Sequence, residues 1–149
     1  MKILLAVDGS PYSDAAVEEV KKRPWPPHSE VKVITAVEIP MIIGVGLEPW
    51  PMNYYEELQK SARETARTIM DNAMRGLSEI SDKTLKISQE IIDGPPRQVI
   101  VDEAEGWGAD LIVMGSRGLG VWNRLMLGSV SSAVVHHAPC SVEIVRTPK

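Results

Sequence analysis

Short apolar runs alternate with amphipathic segments along the whole chain. Three runs, Ile3–Val7, Val31–Val37 and Leu111–Met114, are mostly apolar, which is typical of strands buried on both faces of a parallel sheet. Lys86–Ile92 alternates in part between apolar and polar positions, and Ser141–Val145 is a further short run of strand-forming residues. The pattern therefore predicts five strands.

Four helices are predicted between these strands. The first begins with Ser10 as its N-cap and Pro11 at the first helical position, and it ends before Pro24. The others cover Tyr54 to about Leu77, Pro95 to Glu105 with Gly106 closing the helix, and Ser129 to His136. The longest helix has one apolar stripe that is expected to face the sheet. Its members are Leu58, Ala62, Ala66, Ile69, Ala73 and Leu77.

The alternation of strands and helices indicates an α/β fold within a single domain of 149 residues. Because crossovers between parallel strands are right-handed, five strands joined by helices form a parallel sheet with helices on both faces. Ligands of such folds bind at the carboxyl ends of the strands, where the strand order reverses. The segment Ile39–Met52 contains three prolines and two glycines, so it is predicted to be a long loop, functional or mobile.

A glycine-rich loop follows the fourth predicted strand. The strand ends at Gly115, Gly118 lies three residues further on, and Gly128 with Ser129 opens the last helix. Glycines let a backbone approach a ligand closely, and a helix N-terminus offers unpaired N–H groups with a partial positive charge. This arrangement predicts a phosphate-binding site at the carboxyl edge of the sheet.

Composition narrows the possible functions. The formal net charge of −4 and the isoelectric point near 5.4 argue against a general nucleic-acid binder, which normally has a basic face. The single cysteine, Cys140, excludes an internal disulfide, and no Cys/His pair has zinc-ligand spacing. No apolar stretch reaches the roughly 20 residues of a membrane span, and the apolar run at the start is too short for a signal peptide. We expect a soluble, cytoplasmic protein without a metal site of its own.

Three parts of the chain resemble the universal stress protein family. The loop has the family's spacing, in which Gly is followed by two residues, Gly, nine residues and then Gly-Ser, and the start, Ile3–Ser10, and the end, Ala138–Val145, match as well. The resemblance covers essentially the whole chain. It implies a doubly wound, Rossmann-like fold, related to that of the adenine-nucleotide α-hydrolases, with strand order 3-2-1-4-5. It also implies an ATP-binding, nucleotide-responsive stress or signalling module.

The resemblance further implies which residues contact the nucleotide. The matching positions lie at the ends of the first two strands, in the glycine loop and at the start of the last helix: Ala6, Asp8, Val37, Gly115, Gly118, Gly128, Ser129 and Val130. The ATP is expected to carry Mg²⁺ or Mn²⁺, held mainly by its own phosphates. Each position also has a simpler explanation, since Asp8 can cap the following helix and Ser129 can cap its own. A glycine-rich loop can also lack a ligand.

Other residues give weaker grounds for a functional role. Arg117 and Arg124, in or beside the loop, either screen phosphate charge or are simply solvated. His136 and His137 lie at a helix C-terminus, where the helix dipole favours a protonated imidazole without any catalytic role. Cys140 comes just before the last strand and is predicted to be a small buried residue.

Common catalytic motifs are missing from the sequence. There is no GxxxxGK[ST] loop, so no lysine is placed on the terminal phosphates. Asp8-Gly9-Ser10-Pro11 follows the first strand instead of the G-x-G-x-x-G of nicotinamide-binding folds. No catalytic residue is predicted, and any ATP hydrolysis should be slow. Two alternatives stay open: an adenine-nucleotide α-hydrolase-type enzyme, although its usual S-G-G-x-D-S loop is missing, and a nucleotide-free protein that uses the fold to dimerise.

The last strand predicts a homodimer. Ser141–Val145 should form an edge of the sheet and contains no proline. An edge strand with unpaired N–H and C=O groups readily pairs with another chain, and two copies can pair antiparallel about a two-fold axis, as the resemblance also implies. The alternative is a monomer whose edge is protected by Glu143, Arg146 and the tail at 147–149. The sequence names neither a client protein nor a physiological signal.

Overall fold

The computed structural model describes residues 1–38, 52–80, 84–118 and 127–147. Within these ranges, strands and helices alternate as the sequence predicts. In chain order the elements are β1 (Lys2–Ala6), α1 (Pro11–Lys22), β2 (Glu30–Val37), α2 (Met52–Leu77), β3 (Lys86–Asp93), α3 (Pro96–Trp107), β4 (Leu111–Gly115), α4 (Ser129–His137) and β5 (Ser141–Val145). None of these described helices is both long and apolar enough to cross a membrane.

The five strands form one parallel sheet in the order β3-β2-β1-β4-β5, which confirms the predicted strand order. β1 is the central strand, and its Leu5 lies opposite Val33 of β2 on one side and Val113 of β4 on the other. The chain builds the sheet outwards from β1 through β2 to β3, and then continues on the other side with β4 and β5. The strand order therefore reverses between β1 and β4, and a cleft is expected there at the carboxyl ends.

Two hydrophobic cores pack against opposite faces of the sheet. Successive side chains of a strand point to opposite faces, so Ile3 and Leu5 pack with α1 and α2, whereas Leu4 packs with α3 and α4. Apart from Lys2, every residue of β1 and β4 is buried. Helices covering both faces explain why these two strands are almost continuous apolar runs. The outer strand β3 is partly exposed, and its sequence is correspondingly more polar.

Two helix boundaries differ from the prediction by more than one residue. α2 begins at Met52, so the last residue of the predicted loop is helical, while residues 39–51 lie outside the described part of the chain. α3 continues through Gly106 to Trp107, so the prediction that Gly106 closes this helix is wrong. The residue that ends it is Gly108, which has the left-handed φ of 70° and donates its N–H back to the last turn. Glycines at both positions offer two possible ends, and the backbone conformation decides between them.

Helix α1 is fixed firmly at both ends. Ser10 is the N-cap, as predicted, and its Oγ accepts a hydrogen bond from the Ser13 N–H at 3.2 Å, with Pro11 in the first turn. At the other end, the Arg23 guanidinium donates to both carboxylate oxygens of Glu143 on β5, each at 2.6 Å. α1 is thereby capped at its N-terminal end and tied to β5 at its C-terminal end.

Candidate functional site

A cavity of about 550 Å³ opens at the carboxyl ends of β1, β2 and β4. It lies at the reversal of strand order, where crossover helices leave towards opposite faces of the sheet and separate from each other. Its volume is in the range of small-molecule sites. The fold therefore places a cavity of ligand size at the edge that the sequence indicates.

The wall of this cavity includes all eight residues that the sequence singles out. β1 and the turn after it contribute Ala6 and Asp8, and β2 contributes Val37. The glycine loop and the first turn of α4 contribute Gly115, Gly118, Gly128, Ser129 and Val130. Residues up to 124 positions apart in sequence thus surround one space. Arg124 lies outside the described residues.

Sequence reasoning missed the wall that α2 and α3 provide. The additional lining residues from these helices are Ala62, Thr65, Ala66, Ile69, Pro96 and Ile100. The apolar stripe of α2 was the available signal, but it predicts contact with the sheet along its whole length. Ala73 and Leu77 do pack in the core, whereas the part of the stripe nearer the N-terminus of α2 reaches past the strand ends and borders the cavity.

Asp8 is held in place by the start of α1. Its Oδ1 accepts hydrogen bonds from the Ser10 N–H at 3.0 Å and from the Ser10 hydroxyl at 2.6 Å. Its Oδ2 faces the glycine loop so closely that a Cβ added at Gly118 would lie 2.6 Å from it. One carboxylate oxygen therefore stabilises the turn before α1, whose N-cap is Ser10 and not Asp8, while the other is directed towards the loop.

The glycine loop is anchored to the beginning of α4. The Gly128 N–H donates to the Ser116 carbonyl oxygen at 2.9 Å, and the Ser131 hydroxyl donates to the same oxygen at 2.9 Å. Gly128 is the N-cap and has no side chain to cap the helix, so Ser129 is not the capping residue that the alternative explanation requires. The first turn of α4 thus faces the cavity with N–H groups that no N-cap side chain satisfies.

Gly115 has a structural reason to be glycine. A Cβ at this position would lie 2.6 Å from the backbone carbonyl carbon of Tyr12 and 2.8 Å from its carbonyl oxygen. The close approach that Gly115 permits is therefore that of α1 onto β4. Sequence reasoning assigned this close approach to a ligand, and the packing of Tyr12 accounts for it directly.

The charged groups at this end of the cavity have opposite signs. Asp8 supplies a carboxylate, and Arg117, which also lines the cavity, supplies a guanidinium. The carbon of that guanidinium lies 5.1 Å from the centre of the Tyr12 ring, and Nη1 donates to the Tyr12 hydroxyl at 3.1 Å. The described ranges contain no cluster of three or more His, Cys, Asp or Glu side chains suited to hold a metal ion.

The remaining candidates lie away from the cavity. His136 and His137 are exposed at the end of α4, where their Nδ1 atoms lie 2.7 and 2.8 Å from carbonyl oxygens of the preceding turn. Cys140 is only half-buried, so the prediction of a buried residue is wrong in degree. Burial and, to a lesser extent, the negative charge of Asp110 raise the pKa of its thiol.

A doubly wound parallel sheet with a cavity at the reversal of its strand order is the architecture in which α/β proteins bind ligands at the carboxyl ends of their strands. The chain belongs to the universal stress protein family, whose model matches residues 1–146. A universal stress protein of Thermus aquaticus is 37% identical over 145 residues, which cover 97% of each chain.

Solved structures agree with this assignment. The hypothetical protein MJ0577 has a TM-score of 0.80 at 28% identity, with 99% of this chain and 96% of that chain covered. The universal stress protein UspA of Lactobacillus plantarum has a TM-score of 0.77 at 26% identity, with 98% and 97% covered. Two structures share the fold at lower identity: an Arabidopsis thaliana family member with AMP bound, at 18%, and a universal stress protein in complex with cAMP, at 22%.

Proposed function

We propose that this universal stress protein binds ATP in the cavity at the carboxyl edge of its sheet and acts as a nucleotide-responsive binding module. The observation that carries the proposal is the single cavity wall formed by the glycine loop, the first turn of α4 and Asp8. The solved relatives with AMP and cAMP support an adenine nucleotide as the ligand class. Binding in the cytoplasm is part of the proposal.

The two ends of the cavity suit the two ends of a nucleotide. At the β2 end, Val37 and the apolar residues of α2 and α3 offer a surface for a planar base. At the β4 end, glycines and the N–H groups in the first turn of α4, which no N-cap side chain satisfies, offer an anion-binding surface. We therefore propose that the base lies against β2 and that the phosphates lie against α4, with Ala6 and Asp8 between them.

A divalent cation fits this arrangement as part of the nucleotide. The Asp8 carboxylate borders the proposed phosphate position and repels a bare phosphate chain. Mg²⁺ is usually held by one or two carboxylates together with substrate phosphates, and Asp8 Oδ2 is the oxygen directed towards the loop. We propose that Mg²⁺ or Mn²⁺ arrives on the phosphates, with Asp8 as the protein group nearest to it. The cation would supply charge screening.

The proposed module hydrolyses ATP slowly or not at all. The described residues that line the cavity include no lysine and no histidine, so neither a terminal-phosphate lysine nor a histidine base is among them. Two carboxylates line the described part of the cavity, those of Asp8 and Glu38. Asp8 Oδ1 accepts two hydrogen bonds from Ser10, and we assign Oδ2 to the cation. We expect a turnover below the usual enzyme range of roughly 1–10³ s⁻¹.

We also propose a homodimer that forms through β5. β5 is an edge strand of the sheet and pairs with β4 on one side. Its Glu143 side chain is engaged by Arg23, so it is drawn onto α1 and does not shield the strand edge. The backbone of Ser141–Val145 is thus placed to pair with a second copy.

Mass spectrometry of nucleotide released from gently purified protein tests the proposed ligand. Release of ATP or ADP in near-stoichiometric amount is the expected result. AMP together with an adenylylated product would support an enzyme of the α-hydrolase type instead. Protein that carries no nucleotide and takes up none on incubation with ATP and Mg²⁺ would support the nucleotide-free dimer and contradict the proposal. The Gly118→Val variant is the matched control, because its side chain would occupy the space next to Asp8 Oδ2.

A further inference from the structure

Arg117 lies at the proposed phosphate end of the cavity. It is next but one after Gly115, the last residue of β4, and it lines the cavity together with Gly118 and Gly128. Its Cα packs so closely against α4 that a Cβ added at Gly128 would lie 3.2 Å from it. The backbone that carries this guanidinium is therefore fixed against the N-terminus of α4.

Tyr12 of α1 contacts the Arg117 side chain in two ways. The ring stacks under the guanidinium at 5.1 Å, and the hydroxyl accepts a hydrogen bond from Nη1 at 3.1 Å. The Ser10 hydroxyl, two residues earlier, donates to Asp8 Oδ1 at 2.6 Å and lies 3.3 Å from the Arg117 carbonyl oxygen. Tyr12 is neutral, so its two contacts help to orient the guanidinium without adding an opposing charge.

The spacing of the strand ends below the cavity indicates where the Arg117 guanidinium lies relative to a bound nucleotide. Neighbouring strands lie about 4.8 Å apart, so the ends of β2 and β4 are separated by roughly 10 Å, with β1 between them. A nucleotide whose base lies at β2 brings its first phosphate to the first turn of α4. A longer phosphate chain continues from there along Gly118 towards Arg117.

We propose that Arg117 distinguishes nucleoside triphosphates from monophosphates by binding the outer phosphates, and that Tyr12 is the residue that positions it. The inference rests on the proposed function and adds a specificity to the same site. Planar guanidinium groups form strong, charge-assisted hydrogen bonds with phosphate oxygens. The α4 N–H groups serve the first phosphate of every nucleotide, whereas the contribution of the guanidinium depends on phosphate number.

Isothermal titration of the whole protein with ATP, ADP and AMP, each with Mg²⁺, tests the proposal. The variants are Arg117→Gln, Arg117→Lys and Tyr12→Phe. Arg75→Gln is the matched control, because it removes the same charge from an exposed position on α2 that does not line the cavity. The readout is the ratio of the ATP affinity to the AMP affinity within each variant, which a partly unfolded sample leaves unchanged.

We expect Arg117→Gln to lower this ratio about tenfold or more, because it removes charged hydrogen bonds that only a longer phosphate chain makes. Arg117→Lys should lower it less, Tyr12→Phe about threefold through loss of one orienting hydrogen bond, and Arg75→Gln not at all. An Arg117→Gln variant that loses ATP and AMP binding equally, or neither, would overturn the specificity role alone. Absence of nucleotide binding by the wild type would overturn the proposed function, and the inference with it.

Discussion

Replacement of Gly115 by alanine tests whether this glycine is required for the packing of α1 on β4. The added methyl group would lie 2.6 Å from the Tyr12 carbonyl carbon and 2.8 Å from the carbonyl oxygen. Because these are backbone atoms of a helix anchored at both ends, they cannot move aside as a side chain would. Gly115 is not among the residues with positive φ, so alanine adds no backbone strain and the contact alone is tested.

The expected loss of stability in Gly115→Ala follows from the type of steric clash. Overpacking a well-packed interior costs typically about 1–3 kcal/mol, and contact with backbone places this substitution near the upper value, about 3 kcal/mol. A chain of this size changes its melting temperature by roughly 2–4 °C per kcal/mol. Gly115→Ala is therefore expected to melt roughly 6–12 °C below the wild type.

Scanning calorimetry of nucleotide-free protein measures this difference. Gly106→Ala is the control with the opposite sign, because a Cβ there would meet nothing within 4 Å and the position is helical. Alanine should stabilise α3 by roughly 0.5–1 kcal/mol relative to glycine. A Gly115→Ala protein that melts within 1 °C of the wild type would refute the packing argument and return Gly115 to the role of a ligand-contacting glycine.

Three further predictions follow from the described contacts. Ser10→Ala should lower the free energy of unfolding, measured by urea titration, by about 1–2 kcal/mol, because α1 loses its N-cap and Asp8 loses a hydroxyl donor. An unchanged urea midpoint would contradict this prediction. Cys140 should react with iodoacetamide at pH 7 more slowly than a cysteine in an unfolded peptide, because the raised pKa keeps the thiol protonated. The reaction rate of Cys140 should keep rising with pH above the range in which an ordinary thiol titrates. A rate equal to that of the peptide would contradict the raised pKa of this thiol. Sedimentation equilibrium at micromolar concentration should show a dimer, and Ile144→Pro should shift it towards monomer by removing a backbone donor from β5; a monomeric wild type would exclude the β5 dimer.

The order and number of the strands and helices were predictable because strands that are buried on both faces of a parallel sheet consist of nearly continuous apolar residues. β1 and β4 are buried along their lengths, and their runs are the clearest in the chain. The end of α3 was mispredicted because glycines at 106 and 108 both permit a helix to end, and the left-handed turn falls at the second.

Contacts between distant segments were beyond sequence reasoning. The stacking of Arg117 on Tyr12 joins residues 105 positions apart, and the packing of Tyr12 on Gly115 depends on the angle at which α1 crosses β4. Neither leaves a periodic trace in the sequence. The eight cavity residues were identified through the resemblance to the family, whereas the lining from α2 and α3 depends on how far those helices extend past the strand ends.

The thermal midpoint with and without ATP and Mg²⁺, measured for the wild type and Gly118→Val, tests the central claim most directly. A ligand that binds only the folded state at about 100 times its Kd stabilises it by about 2.7 kcal/mol, which corresponds to roughly 5–11 °C for a chain of this size. We expect a shift of this size for the wild type. We expect none for Gly118→Val, whose added side chain would collide with Asp8 Oδ2 in the proposed phosphate position. A wild-type midpoint that saturating ATP leaves unchanged, or an equal shift in both proteins, would contradict nucleotide binding at this site.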